Sequence, residues 1–188
     1  MHALRGGVGP FNCFLVHGAD RQFQNSSHWI SHFSSLGAVC EFFSLDLPGH
    51  GGSTPGEKSS PEPTFEEKVS ATVELVENVA RETKKPCVLV GRSFGGRVVL
   101  SVASKVSDKV AGIVLIAPSV SRDFVAGLPQ AVRSKQALLF WAEDDMTVPF
   151  SNSTFFSGGV WPNCKLVSFG KVIPTISPEK QQQKWRAH

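Results

Sequence analysis

With 188 residues, 41% of them hydrophobic and 19% charged, the chain is long enough to bury a core as one domain and too apolar to stay disordered. A net charge of +3, with basic residues scattered apart from a local excess at Lys180, Lys184 and Arg186, is too mild to argue for a nucleic-acid partner. The longest apolar run, Val110–Ala117, is far too short to span a bilayer, and Cys13, Cys40, Cys87 and Cys164 lack C-x-x-C spacing, which favours buried free thiols over disulfides or zinc.

In chain order, Met1–Asn12 is glycine-rich without a continuous apolar core, so no signal peptide is expected and the chain reads as cytoplasmic, with the nucleus as an alternative. The run Phe11–Val16 is a strand that closes in His17-Gly18-Ala19-Asp20. A helix is expected from about Ser26 to Leu36, stopped by Gly37. It carries His28 and His32 one turn apart, which fits a surface helix better than a metal site. Cys40–Leu45 is a second strand, closing in Asp46-Leu-Pro-Gly49-His50-Gly51-Gly52-Ser53. Ser53–Pro63 reads as a flexible surface loop. Thr64–Thr83 is the clearest helix: Thr64 and Glu67 form a capping box, and Phe65, Val69, Val73, Val76 and Ala80 line one face.

The strand Cys87–Val90 then breaks into Gly91-Arg92-Ser93-Phe94-Gly95, with a helix from about Gly95 to Lys105 directly after. This G-x-S-x-G in a strand–turn–helix context is the arrangement of a nucleophile elbow. Its sharp turn holds the serine in a strained conformation above a helix N-terminus, where partial positive charge favours a developing oxyanion. Further strands are expected at Val110–Ile116, Ala137–Trp141 and Lys165–Phe169. The runs are nearly continuous rather than alternating, as in parallel strands covered on both faces. One domain over residues 1–188 is therefore expected, of α/β class, with a mostly parallel sheet of about six strands flanked by helices. The strands carrying Leu15, Leu89 and Leu115 should be neighbours.

In such sheets ligands bind beyond the carboxyl ends of the strands. Those ends carry His17-Gly18, then Asp46-x-Pro48-Gly49-x-Gly51-x-Ser53, then the serine elbow, then Glu143-Asp144-Asp145 before Val148-Pro149. In this order and spacing the chain resembles the α/β-hydrolase family over nearly its whole length. The resemblance implies Ser93 as nucleophile, the backbone N–H groups of Ala19 and Phe94 as oxyanion hole, and Asp145, four residues before the proline, as the acid. It also implies that His17 is a structural histidine of the oxyanion loop and that His50 organises its turn. Branches with a carboxylate at the elbow are excluded by Ser93, and the epoxide-opening branch also by the absence of tyrosine. About twenty residues separate Ile116 from Ala137, too few for a helical lid. An open site is implied, with Phe124 and Leu128 shaping the acyl pocket.

The resemblance departs in two places. The family's base, a histidine after the last strand, has no counterpart in Val167–Lys180, where Pro174 occupies about its place, and His188 is the one histidine after Asp145. Residues 171–188 thus form an atypical or truncated C-terminal segment. Only about ten residues precede the first parallel strand, which leaves no room for the family's antiparallel edge hairpin. The implied function is hydrolysis of carboxylic esters or thioesters through an acyl-Ser93 intermediate, with His188 ranked first as base and His50 second. The substrate is expected to be a small-molecule acyl ester or thioester, with no cofactor and no metal. The alternative is a catalytically disabled relative that keeps the pocket for binding, for which a protein partner is open.

Overall fold

The computed structural model describes residues 1–19, 25–54 and 61–170. Among them, seven strands build one sheet: β1 (Ala3–Gly6), β2 (Asn12–Val16), β3 (Glu41–Leu45), β4 (Cys87–Arg92), β5 (Val110–Ile116), β6 (Gln136–Ala142) and β7 (Cys164–Phe169). Their order is β1-β3-β2-β4-β5-β6-β7. All neighbours from β3 to β7 run parallel, and Leu15, Leu89 and Leu115 lie on the adjacent strands β2, β4 and β5. All five residues of β2 are buried, as expected of a parallel strand covered on both faces.

Five α-helices join the sheet among the described residues: α1 (Phe33–Gly37), α2 (Phe65–Thr83), α3 (Phe94–Lys105), α4 (Arg122–Ala126) and α5 (Gln130–Arg133). The capping box of α2 is present: the Glu67 N–H donates to Thr64 Oγ1 at 3.2 Å, and the Thr64 N–H donates to Glu67 Oε2 at 2.7 Å. Val69, Val76 and Val79 of α2 and Val98, Val99 and Val102 of α3 pack with Phe14, Leu89, Leu115 and Leu139 of the sheet into the main core. A smaller cluster of Cys13, Leu15, Trp29, Phe42 and Val90 lies on the other face. Removing such side chains from water is the main term holding the sheet together.

One expectation is refined and one needs correction. Among the described residues the first ten form one antiparallel edge strand rather than a hairpin: β1 pairs with β3, Ala3 opposite Leu45 and Gly6 opposite Phe42. Four residues containing Arg5 and Gly6 carry no strand pattern of their own, so the pairing with β3 makes this strand. The helix expected over Ser26–Leu36 is instead a 3₁₀ segment, Ser26–His32, followed by the short α1. Only Ser26 and Trp29 of that segment are buried, so no apolar stripe at helical spacing pays for α geometry. The Ser53–Pro63 loop lies mostly, and residues 171–188 wholly, outside the described residues. No described helix is long and apolar enough to cross a membrane.

The loop after β3 is anchored by Asp46, which is 2% exposed. Its carboxylate accepts from the Ser26 N–H, from the Gly52 N–H at 2.8 Å and from His2 Nδ1 at 2.7 Å. Burial pushes this carboxyl upward, but the hydrogen bonds from Ser26, Gly52 and His2 outweigh it and hold it below its ordinary value. Folding therefore favours the ionised form, whose contribution is full at neutral pH and fades as pH falls through the lowered folded value. Asp46→Asn is expected to cost about 2 kcal/mol at pH 7, roughly 4–8 °C in Tm, and progressively less as pH falls below the ordinary carboxylate value towards the lowered folded one. Thermal unfolding of both proteins as a function of pH from neutral into the acid range checks this; a loss that does not change with pH would refute the ionic role.

Candidate active site

Ser93 stands between the end of β4 and the start of α3 with φ +50° and ψ −117°. A non-glycine residue in such a region costs on the order of 1–3 kcal/mol unless its surroundings impose it. Here they do. The Ser93 N–H donates to Ile116 O, and its C=O accepts from the N–H groups of Gly96 and Ser119, all at 2.9 Å. A Cβ on Gly91 would lie 2.6 Å from the Gly95 carbonyl carbon, and one on Gly95 would lie 2.5 Å from Val16 O. Only glycine lets helix and strands approach this closely.

The turn places the Ser93 hydroxyl at the carboxyl edge of the sheet, under the loop that follows β2. A Cβ on Gly18 would stand 3.4 Å from Ser93 Cβ. Phe94 is the first residue of α3, so its N–H has no partner within the helix and lies at the positive end of the helix dipole. Ala19 is exposed at the end of the loop after β2. Ser93, Gly18, Ala117, Asp145, Met146 and Val148 line one cavity of about 420 Å³. Ala117 is also held at positive φ, +42°, so two strained residues face the same space. A larger cleft of about 720 Å³ lies at the amino edge of the sheet, among Arg81, Lys84, Lys85, Asp108 and Lys109. It is lined by solvated charges, whereas Ser93 lines the smaller cavity.

Asp145 Oδ1 accepts the N–H groups of Thr147 at 2.8 Å and Val148 at 2.9 Å. Trp141 Nε1 donates to Val148 O at 2.9 Å and ties the same turn to β6. Asp145 Oδ2 accepts no hydrogen bond among the described residues. Glu143, by contrast, takes the Ser168 hydroxyl of β7 at 2.9 Å. Asp145 thus lines the cavity on a hydrogen-bonded turn with its Oδ2 accepting no bond among the described residues, and Asp144 lines the same cavity.

The histidines are placed elsewhere. His17 is fully buried; its Nε2 lies 3.3 Å from the Leu47 N–H and its Nδ1 2.8 Å from Gly18 O. The first bond makes Nε2 the acceptor, so Nδ1 carries the hydrogen and donates to Gly18. The ring is a neutral strut between two loops. His50 Nδ1 lies 3.2 Å from Pro48 O, and its ring packs 5.0 Å from that of His17. His28 Nε2 lies 3.4 Å from Arg92 Nη1, and His32 Nδ1 lies 3.0 Å from Ser31 Oγ. No histidine hydrogen-bonds the Ser93 hydroxyl among the described residues. His188 and Pro174 fall outside them.

Phe124 and Leu128 do not line the cavity. Leu128 is 5% exposed in the core, and the Phe124 ring lies 5.8 Å from the Arg97 guanidinium, which also stacks 4.5 Å over Phe65. The apolar lining comes from Met146, Val148 and Ala117, which the sequence reading missed. The available signal was their place at the ends of β5 and β6, on the same turns as the recognised motifs. Among the described residues no His, Cys, Asp or Glu group is placed to hold a metal ion. All four cysteines are free thiols; burial pushes Cys164 up to about 11 and Cys13 further up, so neither is a thiolate at neutral pH.

Lipase LipV of Mycobacterium tuberculosis is 29% identical to the chain over 163 residues, covering 79% of this chain and 58% of that protein. The chain thus spans little more than half the length of this relative. Among solved structures, a meta-cleavage product hydrolase from Pseudomonas fluorescens superposes with a TM-score of 0.75 at 15% identity, covering 98% of this chain and 91% of that one. An esterase from Thermogutta terrifontis superposes with a TM-score of 0.72 at 17% identity, over 99% and 91%. A model of the alpha/beta hydrolase family matches residues 13–184: the chain belongs to the α/β-hydrolase family.

Proposed function

We propose that the protein hydrolyses carboxylic esters or thioesters through an acyl-enzyme on Ser93. The observation that carries this reading is Ser93 held at φ +50° in a cavity shared with the turn-bound carboxylate of Asp145. The lipase and esterase names among its relatives agree with it. Ser93 Oγ attacks the carbonyl carbon while a base takes its proton. The tetrahedral oxyanion is held by the N–H groups of Phe94 and Ala19. The C–O or C–S bond then breaks, and the leaving alcohol or thiol takes the proton. Water, deprotonated by the same base, cleaves the acyl-serine.

His188 is the base in this reading, with Asp145 Oδ2 steadying its imidazole. The substrate is a small-molecule ester, and no cofactor enters. Turnover of p-nitrophenyl esters by the full chain, against Ser93→Ala, tests it: Ser93-dependent turnover is expected. One observation favours a second reading, a non-catalytic binding protein. Each described histidine is engaged away from Ser93. That reading expects ligand-induced stabilisation and no turnover between about pH 6 and 9.

A further inference from the structure

Met146 is 94% exposed, more than any other large apolar side chain described, and it lines the Ser93 cavity. A single exposed apolar residue on an open surface needs no explanation. This one is different because it lines a cavity and sits in a turn held by hydrogen bonds. Asp145 Oδ1 accepts the N–H groups of Thr147 and Val148, so residue 146 sits in a turn whose backbone is held on its C-terminal side. Val148 and Ala117, 8% and 9% exposed, are short and already packed. The rest of that wall is polar, with Asp144, Asp145 and Thr147. An apolar group brought to Ser93 therefore finds one long, adaptable apolar cover among the described residues.

We infer that Met146 determines specificity at this site: its thioether chain folds over the acyl group of a substrate bound at Ser93 and selects unbranched apolar chains over acetyl. The inference rests on the ester-hydrolase reading above. An unbranched side chain with a polarisable sulfur adapts to acyl groups of differing length and bend. The selection should accordingly be graded with chain length and tolerant of shape.

Two measurements test this. The first is the ratio of kcat/KM for p-nitrophenyl octanoate to that for p-nitrophenyl acetate. Met146→Ala is expected to lower the ratio about tenfold, and Met146→Leu to restore most of it. A ratio unchanged in Met146→Ala overturns the inference. The second does not depend on turnover. The chain has two methionines, Met1 and Met146, so ¹³C-methyl-methionine labelling gives two signals, and Met146→Leu assigns them. In Ser93→Ala protein, sodium octanoate should shift the Met146 methyl in a saturable way and acetate should not. Absence of an octanoate shift overturns the inference whether or not the protein turns over esters. A shift without Ser93-dependent turnover sinks the hydrolase reading and leaves Met146 as the apolar contact of a binding site.

Discussion

Ser93→Ala is expected to lower kcat on p-nitrophenyl butyrate by about 10⁶, leaving a residue of roughly 10³ over water from the oxyanion hole and binding. His188→Ala is expected to lose about as much, and the double variant no more than either single one. A nucleophile and its base act as a unit, so removing the second part after the first costs nothing further. The pH profile follows from the same roles: kcat/KM should rise with pH as the imidazole loses its proton. Initial rates for the three variants, with Tm as a control for folding, decide the matter. Retained activity in His188→Ala places the base elsewhere. The strain at Ser93, φ +50°, adds a second measurable effect. Ser93→Gly should raise Tm by about 2–4 °C while abolishing turnover, because glycine adopts that backbone at little cost. A functional residue held at the expense of stability behaves in this way.

The second large effect is structural. Gly95→Ala would put a methyl group 2.5 Å from Val16 O and against His17 O as well. Both are backbone atoms at the end of β2, which is tied to β3 and β4 by parallel ladders. No rotamer relieves such a clash; α3 or β2 must move. The expected loss is about 3 kcal/mol or more, a fall of roughly 6–12 °C in Tm. Gly112→Ala is the control, since a Cβ there meets only Gln136 O at 3.6 Å, an ordinary contact. It should change Tm by no more than about 2 °C. Equal effects in the two variants would contradict the tight packing described for the elbow.

The central strands were legible because burial on both faces writes them as continuous apolar runs, and α2 because its capping box and apolar stripe agree. The elbow was legible because Gly91, Ser93 and Gly95 each meet a local steric demand. What was missed depends on tertiary placement. The edge strand β1 exists through its pairing with β3, and Ser26–His32 follows a 3₁₀ path because only one face position, Trp29, is drawn into the core. Phe124 is a plausible pocket residue from its loop, yet it packs towards Arg97. Met146 reaches the cavity because Asp145 folds the turn beneath it. No periodicity encodes either outcome; for Met146 the one signal is its place within the Glu143–Pro149 turn.

The most direct measurement is the site of covalent labelling by a fluorophosphonate, read by intact mass and peptide mapping of the full chain. A single phosphonyl adduct on the peptide carrying Ser93, abolished by Ser93→Ala, is the predicted result. Folded protein that takes up no adduct, or an adduct that persists in Ser93→Ala, would contradict Ser93 as an activated nucleophile.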